Sequence, residues 1–578
     1  MEKITAWWKE NQRSITLVKA LLLAALPIVC CLVYCASQGF ALSQVYLPAS
    51  EWNDELFYFK QVEGIIKYGY PQGYFGFNES HALKLSFAAW SPVLVFPWIL
   101  WGLLFGWNLM SPIYCDLFLM VLCCFLFVWL VRPSWKQMGV LTLLFSLYTP
   151  FVRYMLSVMP EVICFSMLIT FYSLAINYLR REKTYKLVLL FLLAAVMTLM
   201  RPYLVLFLLL PVCFWVRRSR WKGLVGSFVV LAAVVGLYAC IKHYLGAEYF
   251  APLFFTDWVS AFLEQGLVGG IRFTLGKLYY MGRDFLGHMR QGFSTGLASG
   301  AFFAGYLVCM MVLAVQSLRD WRALRRLDRQ RQKDSAMQAG NAAQTEPGEP
   351  AGQTEAAGTG ASPEAESLVP EGADKSGRRK KIVQQLYIEV HLVFCFVAML
   401  FALLLMYKLT EGSKHLLTFM AAAVFVTAWM ETAFYKKAVV LGVTFAYFFF
   451  YMGLDPYDYQ VPFVQEERQA ALEEWTDTLA GRLVLSEENV PNYENVVIWV
   501  FGDTVDGDSV NTQWQLLYAL PEGFGISCCM QNYVLEHFED LQSKYLCVVP
   551  GGPVEDSCIR AGYEKIAEAE NAVLYRRY

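Results

Sequence analysis

Apolar runs close to the length of a membrane-crossing helix recur along most of this chain, and they constrain it more than any other feature. About 20 apolar residues reach across ~30 Å of hydrocarbon, and in lipid a backbone satisfies itself only as helix or closed barrel. Runs of this kind predict spans at roughly 16–36, 113–131, 137–152, 160–179, 186–200, 203–216, 223–243, 298–318, 384–407, 415–431 and 438–453. Only 17% of the 578 residues are charged, against about 25% in soluble domains. The expected fold class is a polytopic α-helical membrane protein of about 11 spans, closed by a small extracytoplasmic C-terminal α/β domain. A net charge of -2 gives no electrostatic basis for nucleic-acid binding.

Orientation follows from the basic residues. Lys3, Lys9 and Arg13 precede the first run, which lacks a small-residue cleavage site and reads as a retained anchor. Positive-inside logic puts the N-terminus in the cytoplasm and Asp54 outside, in a plasma-membrane protein. The stretch 91–107 is short, Trp-rich and broken by Pro92 and Pro97. If it lies in the interface or re-enters, Arg180-Arg181, Arg217-Arg218-Ser219-Arg220 and Lys436-Lys437 all stay inside, and that is the reading adopted.

The chain then divides into a transmembrane module at 1–318 with outer loops 37–111 and 244–297, a linker at 319–381, further spans at 382–455 and the C-terminal domain at 464–578. Rich in Ala, Gly, Glu, Gln and Pro between basic ends, the linker is expected to be a disordered cytoplasmic loop. In the C-terminal domain, 496–501 and 545–549 read as buried strands, 513–519 and 534–542 as helices and 572–575 as a closing strand. Gly502-Asp503-Thr504-Val505-Asp506-Gly507 lacks nucleotide-binding spacing. Asn78-Glu79-Ser80 is a glycosylation sequon in the first outer loop. Eleven of the 15 cysteines lie in or beside apolar runs, where they act as small hydrophobes. Cys528, Cys529, Cys547 and Cys558 sit in the polar tail, where spacing leaves open whether any pair.

The charges that loop solvation does not explain gather at the outer ends of spans: Asp54 and Glu55, Arg153, Glu161, Arg201, and Glu411 with Lys414 and His415. Ionisable groups at membrane depth are costly and mark substrate paths. Asp116 lies inside a span and reads either as a partner for an internal cation or as a channel-type residue. Each also has a structural reading, as acids in a first helical turn or as interfacial anchors.

Taken together, Asn53-Asp54-Glu55-Leu56-Phe57-Tyr58 after the first span, the aromatic segment with Ser91-Pro92, and Ser157-Val158-Met159-Pro160-Glu161 resemble the GT-C class of integral-membrane glycosyltransferases. The pattern is similar to the protein O-mannosyltransferase and lipid A aminoarabinose transferase group, best over roughly 10–240. The resemblance implies a polyprenyl-phosphate sugar as donor, an acceptor hydroxyl on a lipid, glycan or protein, and inversion at the anomeric carbon. Asp54 would be the general base, with Glu55 and Glu161 as further catalytic residues, Glu161 orienting the acceptor or helping to bind a divalent ion. Glu161 and Asp54 would hold a divalent metal ion if the reaction uses one. Arg201, then Arg153 and Lys414, would bind the donor phosphate, and His415 and Lys84 would contact substrate. The chain departs from the pattern in carrying Asp116 where relatives often have a basic residue, and in having one proline at Ser91-Pro92. A transporter or flippase of a lipid-linked saccharide usually has repeated halves and broken helices near the midplane; this sequence shows no internal repeat, and its charges cluster at one face instead of along a path. An envelope glycan ligase or polymerase shares the donor chemistry and moves a whole glycan.

Overall fold

The computed structural model describes residues 12–46, 53–71, 75–79, 85, 87, 90–246, 255–295, 298–344, 371–407, 409–430, 440–442, 444, 463–464, 466–480, 482–486, 493–501, 518–569 and 572–578. Among the described residues, six helices are long and apolar enough to cross a membrane. They are Gln12–Ser37 (α1), Ser111–Val131, Glu161–Arg180, Arg220–Leu245, and the apolar parts of Ala298–Gln344 and Glu371–Met406. Three shorter apolar segments accompany them, at Pro92–Phe105, Thr184–Met200 and His415–Trp429.

Glu161–Arg180 is the centre of the bundle. It packs on Ser111–Val131, Thr184–Met200, Glu371–Met406 and Leu409–Trp429, and most of its side chains are buried. Arg220–Leu245, at the other extreme, turns Leu224, Val225, Phe228 and Val229 outward. Such a face is stable only against lipid or another apolar surface.

Two expected spans are not single α-helices, and a proline shapes each. The span expected at 137–152 is a helix over Trp135–Leu147, then a break and a short helix over Pro150–Met155. That expected at 203–216 is a 3-10 turn over Pro202–Leu208 running into Leu209–Arg218. A proline lacks the N–H and biases its predecessor away from helix. The Trp-rich stretch begins at Ser91, whose Oγ accepts from Val93 N–H at 3.2 Å. It continues as a 3-10 turn and a 10-residue helix, Phe96–Phe105. Ten residues rise about 15 Å, half a bilayer. The expected span at 438–453 falls almost wholly outside the described residues.

The linker expectation needs correction at both ends. Ala298–Gln344 runs on as helix for 26 residues beyond Leu318, and the next helix already begins at Glu371; residues 345–370 lie outside the described ones. Ala, Arg, Gln and Leu are strong helix formers, and local pairs extend what hydrophobicity does not. Gln316 donates to the buried Asp320, Arg325 covers the Trp321 ring at 3.8 Å, and Arg379 reaches across to Asp328 at 2.7 Å.

The C-terminal domain is built on a six-stranded sheet. In chain order its strands are Phe75–Phe77 (β1), Val496–Phe501 (β2), Gly525–Met530 (β3), Tyr545–Val548 (β4), Glu564–Ala569 (β5) and Ala572–Arg576 (β6). The order across the sheet is β1-β3-β2-β4-β6-β5, parallel from β1 to β4 and antiparallel beyond. Strands were expected at β2, β4 and β6. Those at β1, β3 and β5 are additions to that reading. The helix expected over 534–542 is one turn and a half at Gln531–Glu536, followed by a 3-10 turn. Of the helix expected at 513–519, only Tyr518 and Ala519 are described. Cys528, Cys529, Cys547 and Cys558 are buried free thiols, filling space as the membrane cysteines do.

β1 belongs to the first loop, directly after the helix Asn53–Tyr68 (α2). Its pairing with β3, Phe75 opposite Ile526 and Phe77 opposite Cys528, puts that loop and the C-terminal domain on one face of the bundle. An even number of membrane crossings must separate them.

Candidate active site

The acidic pair opens α2, where first-turn carboxylates complement the exposed N–H groups. Neighbours on a helix point about 100° apart, and here they part company. Glu55 is fully buried and its Oε1 accepts from Val158 N–H at 3.2 Å. Asp54 stays half-buried. Val158 lies in the turn Ser157–Pro160, which is braced by Ser157 Oγ donating to Tyr154 O at 3.0 Å and accepting from Met159 N–H at 3.3 Å. Glu55 thus ties the first loop to the turn that presents Glu161.

Glu161 and Arg201 are the centre of the cluster. Arg201 precedes Pro202, which drives it into extended backbone at φ -144° and ends the helix Thr184–Met200 there. Its side chain, 1% exposed, meets Glu161, 0% exposed, with Nη2 to Oε1 at 2.8 Å. Nη1 donates to Tyr203 Oη at 3.1 Å and to His415 Nδ1 at 3.0 Å. A guanidinium only donates, so His415 Nδ1 presents its lone pair. Trp90 lies 5.5 Å from the guanidinium carbon across its ring face, edge-on to His415 at 5.0 Å and stacked near Tyr407 at 6.3 Å. Among the described residues, Glu161 Oε2 and Arg201 Nε have no hydrogen-bond partner. Fully buried polar atoms left so are rare in folded proteins and call for a structural or functional reason.

Tyr58, one turn after Asp54 on α2, connects the two groups. Burial first, and then the Asp54 carboxylate, hold its phenol well above the ordinary value; Arg201 opposes this and Glu161 adds to it. Asp54, Glu161 and Arg201 therefore share one electrostatic neighbourhood.

Asp116 is also fully buried, with Oδ1 accepting from Trp98 Nε1 at 2.8 Å. Its hydrogen-bond partner is an indole, where the sequence offered an internal cation or a channel-type role. The bond anchors the short Trp-rich helix to Ser111–Val131. Trp98→Phe removes the donor and strands a buried carboxyl oxygen, an expected loss of about 1–3 kcal/mol, read as a lowered melting temperature of the detergent-solubilised protein. An unchanged melting temperature would mean that the bond contributes nothing.

Of the sequence-derived candidates, Asp54, Glu55, Glu161, Arg201 and His415 come together. Arg153 is buried on the short helix Pro150–Met155, which packs on Glu161–Arg180. Lys84 and the side chains of Glu411 and Lys414 lie outside the described residues. Tyr58, Trp90 and Tyr203 were not anticipated. Tyr203 had a signal in its position two residues after Arg201, and Trp90 stood just before Ser91-Pro92. For a metal, Glu161 is already engaged by Arg201, and among the described residues no group of three or more His, Cys, Asp or Glu side chains converges. No step below is routed through one.

No protein-family model matches the chain, and no curated protein matches it by sequence. Solved structures similar to it include an oligosaccharyltransferase from Archaeoglobus fulgidus, tethered through a disulfide to an acceptor peptide containing the NVT sequon. It aligns at a TM-score of 0.42 and 10% identity, over 94% of this chain and 70% of that one. ArnT from Cupriavidus metallidurans, in the apo state and bound to undecaprenyl phosphate, aligns at TM-scores of 0.37 and 0.36 and identities of 11% and 10%. Each covers 96% of this chain and 97% of the other.

Proposed function

We propose that this chain is a multi-pass membrane glycosyltransferase of the cell envelope, taking its sugar from a polyprenyl-phosphate donor at the outer face of the plasma membrane. The observation that carries the reading is the buried Glu161–Arg201–His415 cluster beside an acidic helix start. A guanidinium with an unused Nε–H, roofed by Trp90, suits a phosphate oxygen leaving from an anomeric carbon. Glu161 lowers the net charge of the site, so that a phosphodiester is captured without being held so tightly that the product monoester cannot leave.

In this reading Asp54 is the general base. The acceptor hydroxyl oxygen attacks the anomeric carbon, its proton passes to Asp54, and the bond from that carbon to the phosphate oxygen breaks with inversion. The lipid phosphate leaves as an anion and needs a cation, not an acid. Glu55 acts as a positioning residue, because its carboxylate is committed to Val158. The N-terminus is cytoplasmic, and the first loop and the C-terminal domain are extracytoplasmic. The basic residues Lys3, Lys9 and Arg13 support this orientation, as does the absence of nucleotide-binding spacing from the C-terminal sequence.

The test is a panel of polyprenyl-phosphate sugars given to the purified protein, with release of polyprenyl phosphate and the anomeric configuration of the product as readouts. Turnover with one donor, with inversion, is the expected result. No turnover with any donor, together with movement of a lipid-linked sugar across liposomes, would replace the transferase with a flippase.

A further inference from the structure

The first loop enters the C-terminal domain with two buried charges that the proposed chemistry does not use. Lys60 lies six residues after Asp54, about 9 Å further along the same helix, and is fully buried. Its ammonium donates to Glu63 Oε2 at 2.9 Å and to Leu520 O at 2.9 Å. Fully buried lysines are rare unless paired, and here one of the two acceptors is main chain of the C-terminal domain. Phe59 packs on Tyr518 with ring centroids 5.7 Å apart, and Tyr68 Oη donates to Gly523 O at 3.3 Å. Lys67 faces Glu522 at 3.7 Å in a more exposed pair.

Glu79, two residues beyond β1, is the second. Its carboxylate accepts from Gln542 N–H at 3.0 Å through both oxygens and from Ser543 N–H at 2.6 Å. Its own N–H donates to Ser527 Oγ at 3.1 Å, and its carbonyl accepts from Tyr493 Oη at 2.9 Å. Asn78 Oδ1 accepts from Met530 N–H at 3.3 Å. Both Asn78 and Glu79 hold left-handed backbone, φ 50° and 58°. That conformation costs residues other than glycine of order 1 kcal/mol and persists only where surroundings over-determine it. The Asn78-Glu79 pair, which reads in sequence as part of a glycosylation acceptor, is a docking turn in this fold.

We infer that the C-terminal domain is a positioning element for Asp54, and that Lys60 and Glu79 are the positioning residues that clamp the helix carrying Asp54 to it. This rests on the reading of Asp54 as base. An apolar side chain at residue 60 would fill the same space without fixing register; a buried ammonium with two acceptors at set points admits one placement of the helix against the domain.

The experiment measures amide hydrogen exchange and transfer kinetics on the full-length protein in micelles, for Lys60→Met, Glu79→Ala and Lys67→Met. Lys60→Met and Glu79→Ala are expected to speed exchange across 53–68 at least about tenfold, with 161–180 unchanged. They are expected to lower kcat about tenfold with donor KM held within about twofold, since donor capture is left in place. Lys67→Met, at the exposed pair, stays within about twofold in every readout. Unchanged exchange over 53–68 in both clamp variants overturns the inference, and so does faster exchange with unchanged kcat. If Lys60→Met does not fold, Glu79→Ala, remote from the bundle, decides. If the wild type transfers from no donor, the proposed function fails on that result alone, while exchange over 53–68 still decides the clamp.

Discussion

Asp54→Asn is expected to lower kcat at least about a hundredfold, the size of a lost general base, with binding of the donor lipid retained. The amide matches the carboxylate in size and stays compatible with the helix start, so α2 keeps its place. In the proposed mechanism, what is lost is the site for the acceptor's proton. Glu55→Gln is the informative companion. Its amide oxygen can still accept from Val158 N–H, so the turn before Glu161 is kept and the rate falls less than about tenfold. Single-turnover transfer with both variants checks the assignment. Equal losses at the two positions would move the base from Asp54 or make the pair act as a unit.

Glu161→Leu is expected to destabilise the protein by about 3–5 kcal/mol, because it leaves the Arg201 guanidinium buried without its counter-ion. The double variant Glu161→Leu with Arg201→Met replaces the pair with apolar side chains and is expected to melt at or above the wild type, since such replacements are often neutral or stabilising. It should nevertheless be inactive, the cation for the leaving phosphate having gone. Melting temperature and transfer rate, measured on both single variants and the double, separate the two roles. A double variant that stays active removes Arg201 from the chemistry, and one as unstable as the single means that Glu161 does not act through Arg201.

The membrane character was legible because hydropathy over 20 residues is a local property. Where spans stop was less so, since Pro150 and Pro202 break helices whose apolar pattern runs on. The helical extension beyond Leu318 was hidden by low hydropathy, although the Trp321–Arg325 contact and the Ala, Arg and Gln content favour helix. In the C-terminal domain, strands rich in Val and aromatics were readable. β5, Glu-Lys-Ile-Ala-Glu-Ala, has helical composition and is a strand only because it pairs with β6. β1 has three residues, too few for any periodicity. At the site, position in sequence pointed to Glu161 and Arg201 separately. Their contact, and the divergence of Asp54 from Glu55, come from the packing of helices far apart in the chain. Asp116 suggested a cation or a channel-type role and found an indole.

The placement of β1 also bears on how the chain is made. Roughly 450 residues separate Phe77 from its partner strand at Gly525, which at about 5–20 residues per second is on the order of half a minute or more of synthesis. During that interval the strand waits with no sheet to join. Until it joins, β3 presents an open edge, the kind of surface that recruits other chains. A stalled or C-terminally shortened chain would leave β1 without its partner strand and the buried carboxylate of Glu79 without its donors, and a chain whose first loop had failed to cross could never close the sheet. Completion of the C-terminal domain therefore reports that the first loop and the C-terminal domain have reached the same side of the membrane, a check on topology carried out by the fold itself.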